Sequence, residues 1–162
     1  MAGPATGKTF LSEQDHHFVD IDGERAKYKY NLYSKTPEEL EKGKSNRGEA
    51  IHKDSKEYAI QLLEETIQSG RIALVSYQEE IVEYLNTHHI DYCLVYAERS
   101  AREEYRERMI HRGNPEEFVR QMTEEDAWNQ FFEKDKKDNR PKYKIILKKN
   151  QYLSDIKNDF LE

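Results

Sequence analysis

The sequence predicts an α/β fold in which helices cover a parallel sheet on both faces, and three features lead there. Near-continuous apolar runs recur at His17–Gly23, Ile72–Ser76, Ile90–Tyr96 and Tyr143–Leu147, as expected of strands buried on both sides. Segments with apolar residues at helical spacing lie between them. Glycines, prolines and acidic capping signals mark the boundaries.

The 162 residues suit a single domain, 1–162, long enough to bury a core. Hydrophobic and charged residues each make up 36%, so the surface must be densely charged and eleven Tyr and six Phe must supply much of the buried area. A net charge of −6 argues against a general nucleic-acid binder, although an anionic nucleotide needs only a local basic patch. The lone Cys93 sits in an apolar run. It excludes an intramolecular disulfide framework and a Cys-rich metal site, and reads as a buried thiol. No apolar run approaches the ~20 residues of a membrane span, and no signal-peptide pattern is present. A cytoplasmic protein with no membrane partner is expected.

In chain order, Phe10 and Leu11 open a short helix that is cut at Asp15-His16-His17. The first strand follows and ends in acids and Gly23. Residues 25–36 are basic and aromatic. Thr36-Pro37-Glu38-Glu39 is a capping box with Pro at the first helical position, so a brief helix is expected before Gly43. Asp54 is expected to cap a helix that buries Tyr58, Ile60, Leu62, Leu63 and Ile67 and stops at Gly70. Next come the Ile72–Ser76 strand, a helix with Ile81, Tyr84 and Leu85 inward, and the Ile90–Tyr96 strand. A charged helix from Ser100 ends near His111 at Gly113. Asn114-Pro115-Glu116-Glu117 is another capping signature, and Thr123 is expected to cap a helix carrying Trp128, Phe131 and Phe132. Residues 134–141 read as a solvated linker before the last strand and a terminal helix with Leu153, Ile156, Phe160 and Leu161.

Ligands of such sheets bind at the carboxyl ends of the strands. Asp20, Asp22, Ser76, Tyr77, Ala97 to Arg99 and Lys148 fall there. The stretch Ala2-Gly3-Pro4-Ala5-Thr6-Gly7-Lys8-Thr9 would join them. It fits a phosphate-loop pattern with Ala in the first place, four open positions, then Gly-Lys-Thr. Small residues let successive amides turn toward phosphates, and the following helix adds its positive end. Lys8 would reach the β- and γ-phosphates, and Thr9 would hold Mg²⁺. An ordinary Gly/Pro/Ala turn with a surface lysine is the plain alternative. A buried strand normally leads into such a loop, and only Met1 stands before it here. The sheet is therefore expected to lack its usual first strand, unless upstream sequence supplies one.

Asp20-Ile21-Asp22 would place two carboxylates on one strand face, one to orient Mg²⁺ through water and the other to accept a proton or fix the acceptor; a turn is the alternative. Arg102 and Arg106, and Arg108 and Arg112, form i,i+4 pairs on the charged helix. Glutamates at 98, 103, 104 and 107 supply i,i+4 partners, so an ordinary exposed, salt-bridged helix explains most of these arginines better, and Arg108 and Arg112 equally well. Arg108 and Arg112, beside Gly113, are the candidates for a phosphate clamp, with residues 99–123 as a lid. Arg25 and Lys27 could bind an acceptor. Histidines 16, 17, 52, 88, 89 and 111 form no metal spacing, and His88-His89 is expected to cap a helix.

The residues Ala2–Thr9, Phe18–Asp22 and Arg106–Gly113 resemble the P-loop kinases of nucleoside monophosphates and small metabolites, shikimate-kinase-type enzymes among them. The chain through Gln151–Asp155 also resembles phage- and prophage-type P-loop proteins described as nucleotide kinases or ATPases. The resemblance implies a three-layer P-loop NTPase-like domain that uses ATP and Mg²⁺ to phosphorylate a small acceptor, a nucleoside or deoxynucleoside monophosphate, with Asp20 assisting the metal and Asp22 holding the acceptor. Ser76 departs from the pattern, since many P-loop proteins carry an acid there. A non-catalytic nucleotide-binding module and an interaction protein with a degenerate loop remain the alternatives.

Overall fold

Parallel pairing of the apolar runs is the first expectation met. The computed structural model describes residues 1–21, 28–30, 47–50 and 55–161. They form two compact units, Met1–Leu11 with Ser76–Glu162, and Ser12–Val75. In order the elements are α1 (Lys8–Gln14), β1 (Phe18–Asp20), β2 (Tyr28–Tyr30), β3 (Arg47–Ala50), α2 (Ser55–Gln68), β4 (Ile72–Leu74), α3 (Glu79–Thr87), β5 (Cys93–Ala97), α4 (Arg102–His111), α5 (Glu116–Thr123), α6 (Glu125–Lys137) and β6 (Tyr143–Leu147). A 3₁₀ turn at Arg99–Ala101 precedes α4, and a 3₁₀ helix at Leu153–Phe160 follows β6.

In the Ser12–Val75 unit, β1 and β4 run parallel with Asp20 opposite Leu74. The ladder extends past both ends, because Ile72 N–H donates to His17 O (2.8 Å) and Ile21 N–H to Leu74 O (3.0 Å). Within α2, Ala59, Leu63 and Thr66 are buried. The Thr66 hydroxyl donates to Leu62 O at 2.7 Å, so its burial leaves no unmet donor. Gly70 then takes φ +70°, the left-handed stop the sequence predicts. β2 and β3 form an antiparallel pair that no apolar alternation announces.

In the other unit β5 and β6 pair in parallel over five residues, Cys93 opposite Tyr143 through Ala97 opposite Leu147. Ala2 bridges Val95 in parallel on β5. Val95 N–H donates to Met1 O at 2.8 Å, and the Met1 amine to Cys93 O at 2.6 Å. A two-residue stub thus holds the place expected to have no strand. One cluster of Ala101, Tyr105, Met109, Val119 and Trp128 fastens α4, α5 and α6 together. Each large side chain buried there contributes ~1.5–3 kcal/mol. Cys93 is half-buried, and burial pushes its thiol above the ordinary value.

Several expectations are corrected. Residues 134–141 are not a solvated linker: α6 runs to Lys137, and Asp138 and Arg140 pair beyond it. Thr123 ends α5 instead of capping α6, because its hydroxyl is spent on Val119 O at 2.7 Å, and Glu124 is the residue before α6. α5 starts after Pro115, which makes no side-chain cap; its ring fixes φ at −56° instead. β6 is not covered on both faces, as Tyr143 and Ile146 are 61% and 46% exposed. The terminal helix is 3₁₀. The helix expected from Thr36 and the Asp54 cap lie outside the described residues.

Candidate functional site

The stretch Ala2–Thr9 folds as a tight turn into α1. Two of its residues take left-handed backbone, Ala5 (φ +59°) and Gly7 (φ +92°). At Ala5 that conformation is strained for a residue with a Cβ, of order ~1–2 kcal/mol. Lys8 is 9% exposed, and its ammonium turns back to donate to Ala2 O and Gly3 O, both at 2.9 Å. The Thr6 hydroxyl donates to Gly3 O at 2.9 Å. Among the described residues, no protein acceptor takes the N–H of Ala5, Thr6 or Gly7. Three successive amides are therefore not spent within the protein, as a phosphate cradle requires, with Thr6 itself 1% exposed.

The turn is braced from behind. Leu153 N–H donates to Thr6 O at 3.0 Å. Arg108 Nη1 donates to Ala5 O at 3.4 Å and Nη2 to Gln151 O at 3.0 Å, while the same guanidinium pairs with Glu104. Glu104 in turn accepts Asn150 N–H. Glu98 accepts hydrogen bonds from Ser100 and from Lys149 N–H, which hold its carboxyl below the usual range. The Lys148–Tyr152 segment after β6 is thus tied to α4 and to the turn by carboxylates and one arginine.

Beside the turn opens a pocket of about 330 Å³ that lies wholly within the Met1–Leu11 and Ser76–Glu162 unit. Gly3, Pro4 and Thr6 form one wall. Tyr77, Tyr96, Tyr105, Trp128, Phe131 and Phe132 supply the aromatic lining, with Ser76, Met109 and Met122 between them. Lys134 and Asp135 bring the charge. Its size is in the ~300–1,000 Å³ range of small-molecule sites. Trp128 is fixed by its Nε1–H to Arg99 O (2.8 Å), and Tyr96 meets Phe132 edge-on at 5.8 Å. The Tyr77 hydroxyl donates to Glu79 at 3.0 Å and accepts from Arg140, with the Lys134 ammonium 4.4 Å from its ring centroid. Burial, then the Glu79 hydrogen bond, pushes Tyr77 up to about 12; burial pushes Tyr105 up to about 12 as well.

Desolvation raises the Asp135 carboxyl from 3.8 to about 6. Among the described residues, no hydrogen bond or ion pair reaches its carboxylate oxygens; Lys144 bonds only its backbone carbonyl. The segment expected to be a linker thus contains a pocket residue. The sequence does carry a signal for it: Trp128, Phe131, Phe132 and Asp135 follow i, i+3, i+4, i+7, one helical stripe.

Arg108 comes to the turn, whereas Arg112 is exposed at the end of α4. Arg102 reaches Thr123 O and Glu103, and Arg106 is exposed. Thr9 is exposed on the first turn of α1. Asp20 ends β1 in the other unit. Asp22, Arg25 and Lys27 lie outside the described residues. His88 caps α3 as expected, its Nδ1 2.8 Å from Tyr84 O. Asp15, His16 and His17 gather as potential metal donors, but His17 Nδ1 lies 2.8 Å from Asp15 Oδ1, so the turn is closed on itself. No described helix is long and apolar enough to cross a membrane.

Comparison with family models, curated proteins and solved structures returned no match to this chain.

Proposed function

We propose that the chain is a P-loop α/β domain that binds ATP with Mg²⁺ and transfers the γ-phosphoryl group to a small acceptor, a nucleoside or deoxynucleoside monophosphate. The observation that carries this reading is a shared wall: Gly3, Pro4 and Thr6 belong both to the anion-ready turn and to the aromatic pocket. A phosphate donor on the turn and a ring-bearing acceptor in the pocket would then be neighbours.

In this reading the amides of Ala5, Thr6 and Gly7 take the phosphate oxygens, and Lys8 leaves its two carbonyls for the β- and γ-phosphates. The acceptor oxygen bonds the γ-phosphorus as the bridging oxygen departs with ADP. Arg108 holds the turn through Ala5, and Arg112 at the end of α4 is the guanidinium left to meet developing charge. A hydroxyl oxygen suits Mg²⁺, so Thr9 is its proposed ligand. The metal would neutralise charge on the phosphate oxygens.

Calorimetric titration with ATP, with and without Mg²⁺, is the first test, followed by an ADP-release screen over nucleoside monophosphates and small hydroxyl acceptors. Binding and turnover are expected, both reduced by orders of magnitude in Lys8→Ala with the fold intact. ATP binding without turnover makes the chain a nucleotide-binding module, and no ATP binding overturns the reading.

A further inference from the structure

We infer that the aromatic pocket seats the base of the acceptor, and that Asp135 selects bases carrying an amino group by accepting its N–H. This rests on the phosphoryl-transfer reading for the ring being part of an acceptor, but the pocket can be probed without ATP.

Flat π surfaces recognise rings by stacking and by edge contacts. Here Tyr96, Trp128 and Phe132 are held by the Tyr96–Phe132 edge contact and by the Trp128–Arg99 bond, so the lining is set before a ligand arrives. An all-aromatic slot would accept any ring. What gives it direction is a polar group with an unmet need, and Asp135 is that group: a desolvated carboxylate among these rings, taking no hydrogen bond or ion pair from the described residues. An ionised carboxylate only accepts. The amino groups of cytosine, adenine and guanine offer N–H donors, whereas the single ring N–H of thymine is flanked by two carbonyl oxygens that repel an approaching carboxylate. A site built to accept a hydrogen bond discriminates strongly against a ligand that leaves it unmet. Lys134 does not cancel this preference, since its ammonium is drawn to the Tyr77 ring.

Trp128 is the only tryptophan of the chain and lines the pocket, so its fluorescence reports occupancy directly. Deoxycytidine, deoxyadenosine, deoxyguanosine and thymidine are titrated without ATP into the wild-type chain, Lys8→Ala and Asp135→Leu. Saturable quenching is expected, tighter by about tenfold or more for at least one amino-bearing nucleoside than for thymidine. Lys8→Ala should retain that preference even though its ATP binding is lost, which separates this inference from the phosphate-loop reading. Asp135→Leu, which has no acceptor, should bring the amino-bearing nucleosides to the level of thymidine, with its thermal melt showing that it folds. Phe131→Leu should weaken all four alike. No saturable quenching by any nucleoside, or an unchanged preference in Asp135→Leu, overturns the inference.

Discussion

The guanidinium of Arg108 lies 3.7 Å from the ring centroid of Tyr152, and Tyr152 also covers Gly7 of the phosphate-type turn. The Arg108 guanidinium also lies 4.8 Å from the Tyr105 ring centroid. One side chain thus joins α4, the turn and the segment after β6, with 9% of its surface exposed. Removing it strips Glu104 of its cationic partner and leaves the Ala5 and Gln151 carbonyls short of a donor. Arg108→Ala should cost roughly 3 kcal/mol. Arg108→Lys should recover only a small part, because an ammonium cannot stack as a plane on a ring. Urea melts of both variants check this; equal stability of Arg108→Lys and wild type would show that charge alone matters.

Gly7 and Gly70 give a matched comparison. Both have positive φ, but a Cβ on Gly7 would meet Tyr152 Cδ1 at 3.3 Å, whereas one on Gly70 meets nothing within 4 Å. Gly70→Ala should cost only the left-handed penalty, about 1–2 kcal/mol. Gly7→Ala should cost more, since the Tyr152–Arg108 stack has to shift, and it should also weaken ATP binding. Thermal melts with a nucleotide titration distinguish the two. If Gly7→Ala bound ATP as wild type does, the turn would not depend on Tyr152 for its shape.

Local patterns make much of the fold legible. Gly70 and Gly113 stop their helices with positive φ, and β1, β4, β5 and β6 fall largely within apolar runs. β2 and β3 are not legible, because Tyr-Lys-Tyr and Arg-Gly-Glu-Ala show no apolar alternation and pair only with each other among the described residues. The turn can be read because its chemistry is contiguous from Ala2 to Thr9. The pocket cannot, since Pro4, Tyr77, Tyr96 and Trp128 are brought together only by tertiary packing. Asp135 is obscured by its neighbours: amid Lys134, Lys136, Lys137 and Asp138 it reads as one more surface charge.

Arg140 secures the wall that carries Tyr77. Its Nε and Nη2 meet Asp138 Oδ1 and Oδ2 at 3.0 and 2.9 Å, and it also pairs with Glu79 and the Tyr77 hydroxyl. Exposed pairs contribute little, but the Asp138 side chain is only 6% exposed and would be left charged without its fork. Arg140→Gln should therefore cost about 1–2 kcal/mol. Adding Asp138→Asn should restore part of that loss, as measured by a double-mutant cycle in urea. A double variant no more stable than the single one would place the cost elsewhere.

Asp135 should carry a pH signature in stability. Its carboxyl titrates near about 6 in the folded chain against an ordinary 3.8: burial raises it most, Lys134 and Lys144 lower it and Asp138 raises it, while Tyr77 and Tyr96 line the same pocket. The folded state holds this proton more tightly than the unfolded one. The resulting stabilisation is fully present below about pH 4 and is lost as pH rises through about 6. The gap between the folded and ordinary values sets a ceiling of ~3 kcal/mol; solvent screening of a partly exposed group brings this to about 1 kcal/mol. Asp135→Asn cannot ionise, so it should match wild type near about pH 4 and exceed it by about 1 kcal/mol at about pH 7.5. Urea melts of the two chains at both values measure the difference, in which the remaining carboxylates cancel. A stability difference that does not change between the two pH values would mean that Asp135 is not desolvated by the rings around it.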